Sequence, residues 1–330
     1  MSGRLKSPDL SPPTVPVVKP TFLPNRSAST KLRATWLGHA AYYVEFPSGL
    51  RVLFDPVFED RCSPFSSLGP KRYTESPLKS LADLPVVDAV FISHSHYDHL
   101  SHGSVLEVQK HHPNAHFFVG LGLEKWFKST GIRKVTELDW WSTAKLELSA
   151  ERKSDDGSPQ TITADIACTP CQHTSARGIF DKDTTLWCSW AVKSAGKSVW
   201  FGGDTGYRQV SQILPPGEDD YGEKFASLPR CPQFKQIGAL HGPFDLGLIP
   251  IGAYYPRAAF SAMHANPFDS VEIFKDVTAK RAFGIHWGTW ALTMEEVLDP
   301  PRQLKAALKR SGIAETGVFD VCDIGESREV

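Results

Sequence analysis

Short apolar runs, punctuated by glycine, proline and polar turns, set the pattern of this chain. Residues 32–36, 41–46 and 50–54 read as strands, with turns at 37–40 and 47–49 between them. After a Pro-, Ser- and Gly-rich loop over 55–77, the apolar run 88–93 reads as a buried strand, and 115–119 as another. Residues 104–112 have the apolar spacing of a short helix with Ser104 as its cap, and 121–129 form a second helix ending at Gly131. Residues 134–138 lead into Trp140 and Trp141, which are expected to pack. A polar loop over 154–159 precedes strands at 161–169, 187–192, 198–201 and 245–250. The helix over 267–280 has Asn266 as cap and Pro267 at its first position. A strand at 281–286, a helix at 301–310 stopped by Gly312, and residues 318–322 close the chain. Strands come first, then strands alternating with helices, and the order occurs twice. That order predicts an α/β chain with two mixed sheets packed face to face and helices on both outer faces, a four-layer αββα sandwich. No linker interrupts residues 31–330, so one catalytic-sized domain is expected there, with no short-period repeat.

Residues 1–30 differ: prolines at 8, 12, 13, 16, 20 and 24 stand among serines and threonines. Such a segment cannot build a core and reads as a flexible tail, draped over the surface at 15–23. Its basic residues raise a mitochondrial transit peptide, but the prolines oppose the amphipathic helix that such a peptide needs. With 36 basic and 37 acidic residues the chain is not a general nucleic-acid binder. Six cysteines in 330 residues make no disulfide framework, so a reducing, cytoplasmic setting is expected. No apolar run is long enough to span a bilayer, so membrane contact is expected to be peripheral.

The chemistry begins where the buried strand at 88–93 ends. His94, His96, Asp98 and His99 put four metal-ligand side chains within six residues. In extended chain, side chains two apart point the same way, so His94 and His96 can grip one ion, and a following turn throws Asp98 and His99 towards a second. Imidazole and carboxylate suit zinc or a similar divalent ion. Three later strands also end on ligands: His173, Asp204 and His286. Seven ligands suit two ions with one carboxylate shared, and the two oxygens of Asp204 can bridge.

The H-x-H-x-D-H run followed by separate His, Asp and His resembles the metallo-β-lactamase superfamily. Further stretches narrow the resemblance: Trp36-Leu-Gly-His-Ala40, Gly69-Pro-Lys-Arg72, Glu137-Leu-Asp-Trp-Trp141, Thr169-Pro-Cys-Gln-His173, Gly203-Asp-Thr-Gly-Tyr207, Ile249-Pro-Ile-Gly-Ala-Tyr254 and Ile285-His-Trp-Gly288. They are similar to the N-acyl-phosphatidylethanolamine-hydrolysing phospholipase D family, over nearly all of the chain from Lys31 onward. The resemblance implies that His94, His96 and His173 bind one zinc, that Asp98, His99 and His286 bind the other, and that Asp204 bridges. It implies a bridging hydroxide that cleaves the phosphodiester of an N-acyl-phosphatidylethanolamine to an N-acylethanolamine and phosphatidic acid. His264 carries over as a proton donor or phosphate-orienting group, but the family's neighbouring glutamine is Met263 here. The same scaffold also hosts hydrolases of lactones and phosphorylated sugars, and a non-catalytic lipid-binding protein is a third reading.

Apolar surface for a phospholipid or membrane is expected at 253–263, with Tyr254, Tyr255, Phe260 and Met263, or at 121–127. Asp55 reads as a carboxylate supporting a metal histidine or as a turn former. His39 and His241 read as structural turn residues, and His102, His111, His112 and His116 as surface or helix-end residues. Arg257, Lys71 and Arg72 read as phosphate-attracting or plain surface, and the Cys168/Cys171 pair as coincidence. The sequence leaves a homodimer open.

Overall fold

Strand residues that alternate between two buried faces require a layer on each side, and that is the architecture found. The computed structural model describes residues 7–153, 159–215 and 218–330. One sheet holds β1 (Arg33–Gly38), β2 (Ala41–Glu45), β3 (Arg51–Phe54), β4 (Ala89–Phe91), β5 (His116–Gly120), β6 (Val135–Leu138) and β14 (Ser327–Glu329). The other holds β7 (Thr143–Lys153), β8 (Pro159–Thr169), β9 (Ser189–Ser194), β10 (Lys197–Phe201), β11 (Phe244–Pro250), β12 (Ala279–Ile285) and β13 (Phe319–Asp320). The spatial orders are 14-1-2-3-4-5-6 and 13-12-11-10-9-8-7. Each sheet is antiparallel in one half and parallel in the other, with β3 to β6 parallel in the first and β10 to β13 in the second.

The period of two decides which residue faces which layer. Tyr42, Val44, Val52, Phe54 and Phe91 point into the core between the sheets, where Phe54 stacks on Phe201 at 4.7 Å. Ala41, Tyr43, Leu53 and Val90 point the other way, onto helices α1 (His102–His111) and α2 (Glu124–Ser129) through Val105, Val108 and Phe127. The outer face of the second sheet carries α3 (Gln233–His241), α5 (Pro267–Asp276) and α6 (Asp299–Arg310), with the short α4 (Arg257–Phe260) beside them. The αββα expectation therefore holds. In the parallel halves, β4, β10 and β12 all end at the same edge of the sandwich, and that edge carries the ligands.

Several elements differ from the sequence reading. Helix α1 starts at His102, because Ser101 rather than Ser104 caps it, with Glu59 accepting from the Ser104 N–H at 2.7 Å. Asn266 and Asp269 form the reciprocal cap of α5, which stops at Asp276, short of 280, because Thr278 turns back with φ +57°. Strand β7 was not expected. It is an edge strand that exposes Thr143, Lys145, Glu147 and Ser149 and turns Ala144, Leu146 and Leu148 to the core. Helix α3 covers a stretch to which the sequence reading assigns no element. Gly238 within it lets α5 pack closely, since a Cβ there would lie 2.2 Å from the Asp276 carbonyl oxygen. Trp140 packs and donates to the Trp187 carbonyl at 2.7 Å, whereas Trp141 is exposed. Of the polar loop expected at 154–159, residues 154–158 lie outside the described residues.

The proline-rich segment lies along the domain. Val15 is buried, Val17 bridges Ile324, and the Arg26 guanidinium makes two 2.7 Å bonds to Asp88. Among the described residues no helix is long and apolar enough to cross a membrane.

Candidate metal centre

All seven expected ligands meet at the ligand-bearing edge. The loop after β4 supplies His94, His96, Asp98 and His99, and the chain beyond β8, β10 and β12 supplies His173, Asp204 and His286. Three imidazole nitrogens converge first: His94 Nε2 lies 2.8 Å from His96 Nδ1, which lies 3.2 Å from His173 Nε2. The second group forms around two carboxylates. Asp98 Oδ2 lies 3.3 Å from His99 Nε2 and 3.2 Å from His286 Nε2.

Asp204 stands between the groups. Its Oδ1 is 3.2 Å from His99 Nε2. Its Oδ2 is 2.9 Å from His286 Nε2, 3.6 Å from His173 Nε2 and 4.0 Å from His94 Nε2. One carboxylate thus faces both histidine sets.

The chemistry of these donors fits divalent ions. Spacings of about 3.3 Å are the edges of a tetrahedron with ligand bonds near 2.0–2.1 Å. The buried atoms His99 Nε2 and Asp204 Oδ1 have no hydrogen-bond partner. Such groups are costly unless paired, and a cation satisfies them together. The opposite ring nitrogens are mostly anchored, which is how metal-binding histidines are oriented. His99 Nδ1 lies 2.6 Å from Asp55 Oδ2, His173 Nδ1 lies 2.9 Å from the Met263 carbonyl, and His94 Nδ1 lies 2.9 Å from Ser93 Oγ. Asp55, fully buried with φ +36°, also accepts from the Ser93 N–H at 2.7 Å and the Ser93 hydroxyl at 2.6 Å. Of its two readings, the supporting carboxylate is the one found.

The titration of the cluster follows from burial and neighbours. Burial pushes His173 down to about 3 and His264 to about 4. Burial acts the same way on His286, but the Asp204 and Asp98 carboxylates override it and hold that ring up at about 9. Burial also opposes charge on Asp204, and His286 and His99 more than reverse this, keeping it well below the usual carboxylate range.

His264 lies over this floor, with Nδ1 3.9 Å from Asp204 Oδ2 and its ring 5.0 Å from that of His173. Its segment is pinned from below. The His264 carbonyl accepts from Arg257 Nη1 at 3.1 Å, and the Ala262 carbonyl accepts from Gln172 Nε2 at 2.8 Å. Met263 serves the site through its backbone carbonyl, which any residue supplies, so the missing glutamine side chain removes no contact to His173. Arg257 is not free for phosphate: it is buried between Asp220 at 2.7 Å and Asp269 at 2.5 Å. Arg72 is likewise engaged, by the Val57 and Glu59 carbonyls and the face of Trp290.

His39 departs from the expectation of a structural turn residue: its Nε2 lies 2.9 Å from Asp98 Oδ2, beside His99 and His286. Its position directly after a buried strand, in the same way as the other ligands, was the available signal. His112 is also not a surface residue: it is buried at the end of α1, facing the Leu81 carbonyl at 2.9 Å.

Comparison with known proteins agrees with this geometry. The β-lactamase superfamily domain model matches residues 50–216 and 218–287. The chain is 39% identical over 302 residues to N-acyl-phosphatidylethanolamine-hydrolyzing phospholipase D 1 of Caenorhabditis elegans, covering 89% of this chain and 75% of that protein. It is 30% identical to the mitochondrial N-acyl-phosphatidylethanolamine-hydrolyzing phospholipase D of Saccharomyces cerevisiae, covering 87% of this chain and 54% of that protein. Among solved structures, a metallo hydrolase of Ignicoccus hospitalis shares the fold at TM-score 0.56 and 21% identity, over 91% of this chain and 99% of that one. The chain therefore belongs to the β-lactamase superfamily, as a metal-dependent hydrolase, and within it to the N-acyl-phosphatidylethanolamine-hydrolysing phospholipase D family.

Proposed function

We propose that this chain is a dizinc phosphodiesterase that hydrolyses N-acyl-phosphatidylethanolamine to an N-acylethanolamine and phosphatidic acid. The observation that carries the reading is Asp204, a single buried carboxylate that faces two separate histidine sets. Two divalent ions held there would supply Lewis acidity to a phosphoryl oxygen and lower the pKa of water towards neutrality. His94, His96 and His173 would hold one ion and Asp98, His99 and His286 the other, with the Asp204 carboxylate facing both sets. The residues do the rest. Asp55 keeps the His99 proton on Nδ1, so that Nε2 presents a lone pair. The Met263 carbonyl does the same for His173. His264, partly exposed above the floor, is placed to orient the phosphate or to hand a proton to the leaving alkoxide.

The lipid side of the reading rests on the rim. Of the apolar stretches anticipated from sequence, Tyr254 is buried with its hydroxyl on Asp299, and Phe127 belongs to the core. Tyr255 and Leu121 remain exposed. A third stretch is more open: Ile179 and Phe180 are 89% and 97% exposed on the loop that leaves His173. That loop is braced, since Asp181 accepts from the backbone of Arg177 and Gly178, and Arg177 donates to the Ser95 and Leu100 carbonyls. A rigid loop that holds two large apolar side chains in water beside the metal centre suits a lipid surface.

The test is turnover of purified, metal-loaded protein on N-acyl-phosphatidylethanolamine beside a panel of lactones and phosphorylated sugars. Release of N-acylethanolamine, abolished in Asp204→Asn, is expected. Rapid lactone opening with no N-acylethanolamine would sink the phospholipase reading, and full turnover by Asp204→Asn would sink every hydrolase reading of this site.

A further inference from the structure

We infer that His39 is a positioning residue of the centre, whose side chain fixes Asp98 while its backbone fixes His286. The inference rests on the two-ion reading above.

His39 occupies the turn between β1 and β2 with φ +48°, a left-handed conformation uncommon for a residue with a Cβ. The surroundings hold it there. Its N–H donates to Thr289 Oγ1 at 2.7 Å, and its carbonyl accepts from Trp36 Nε1 at 2.9 Å and from the His286 N–H at 3.0 Å. The ring is buried, 4.2 Å from that of His286 and 4.9 Å from that of Trp290. A backbone held so firmly aims the side chain in one direction, at Asp98.

The contact is one-sided, and that separates His39 from the ligands. His99 and His286 each lie close to both Asp98 and Asp204. Among the described residues the carboxylate within 4.0 Å of His39 is Asp98 alone. His39 therefore meets Asp98 without meeting Asp204, although its ring stands beside those of His99 and His286. The side-chain donors within reach of Asp98 are His39, His99 and His286. If the latter two turn lone pairs towards an ion, His39 is the one left to orient the carboxylate through an N–H. Such supporting bonds typically change metal affinity by about 10- to 100-fold. Asp98 and His286 serve the same ion, so one histidine braces two of its ligands by different means.

The test uses the full chain with His39→Asn and His39→Gln. Asparagine tolerates the left-handed backbone but is too short to reach Asp98, whereas the glutamine amide stands about as far from its Cβ as the imidazole Nε2. Zinc stoichiometry after dialysis, both dissociation constants by chelator competition, and the melting temperature are measured. The expected result is an about 10- to 100-fold rise in one dissociation constant for His39→Asn, the other unchanged, with His39→Gln within about threefold of wild type. Unchanged constants in His39→Asn would overturn the inference. Equal weakening of both ions would also overturn it, by marking a general structural role. So would a Gln variant worse than the Asn variant, the order that backbone strain alone predicts. Fewer than two ions in the wild type would instead overturn the two-ion reading on which the inference stands.

Discussion

Asp55→Asn changes one atom at the base of the centre, and its effect can be worked through bond by bond. Asp55 is fully buried and accepts three hydrogen bonds: Ser93 N–H, the Ser93 hydroxyl and His99 Nδ1–H. In the variant the amide oxygen can still take the Ser93 N–H, which leaves the amide nitrogen facing His99 Nδ1. Two donors cannot face each other, so His99 moves its proton to Nε2. Nε2 is the atom 3.2 Å from Asp204 Oδ1 and 3.3 Å from Asp98 Oδ2, where the ion is expected. A charge-assisted bond of this kind contributes about 1.5–3 kcal/mol. Lost from the support of a ligand, it corresponds to an affinity falling about 10- to 100-fold. Chelator competition on metal-free protein measures this. The ion served by His99 should bind more weakly, and the ion served by His94, His96 and His173 should keep its constant. Both constants within twofold of wild type would refute the reasoning.

Met263→Gln is expected to leave kcat/KM within about threefold, since position 263 meets His173 through its carbonyl; a steady-state assay on N-acyl-phosphatidylethanolamine checks it. Gly206→Ala puts a Cβ 2.4 Å from the Ala262 carbonyl oxygen, so the segment carrying Met263 and His264 must shift; kcat should fall at least tenfold, and the ion served by His173, which the Met263 carbonyl orients, should weaken in chelator competition. The Ile179→Ser/Phe180→Ser pair should reduce sedimentation with phospholipid vesicles about tenfold and spare turnover of a short-chain soluble substrate. Chelated protein should be most stable near pH 6.5. His39, His173 and His264 have folded pKa values of about 3, 3 and 4, so the unfolded chain binds more protons and stability falls as the pH drops below about 6.5. His286, at about 9, contributes stability that is present below about 6.5 and is lost as the pH rises through 9. Melting temperatures from pH 4.5 to 9.5 check both limbs, and a rise across pH 6.5–9 would contradict the second.

What the sequence disclosed followed the range of the physics involved. The H-x-H-x-D-H run is a local spacing, and His173, Asp204 and His286 each follow an apolar run, so ligand identity was legible without coordinates. The core alternation through Tyr42, Val44, Phe54 and Phe91 was legible for the same reason, and with it the layer order. Long-range features were not. Whether His39 braces a turn or a ligand depends on Asp98, 59 residues away. The reason for Gly238 within α3 lies in α5, which packs against it. Strand β7 pairs only on one side, so its pattern lacks the continuous apolar run of the interior strands. Met263 looked like a lost function because a sequence displays side chains, whereas the bond at that position belongs to the main chain.

Under the proposed function, this centre directs water at phosphorus in a lipid headgroup. Hydrolysis of N-acyl-phosphatidylethanolamine in ¹⁸O-labelled water, with both products weighed by mass spectrometry, tests it most directly. One ¹⁸O atom is expected in the phosphate of phosphatidic acid and none in the N-acylethanolamine. Label in the N-acylethanolamine, or no product from the wild-type protein loaded with zinc, would contradict it.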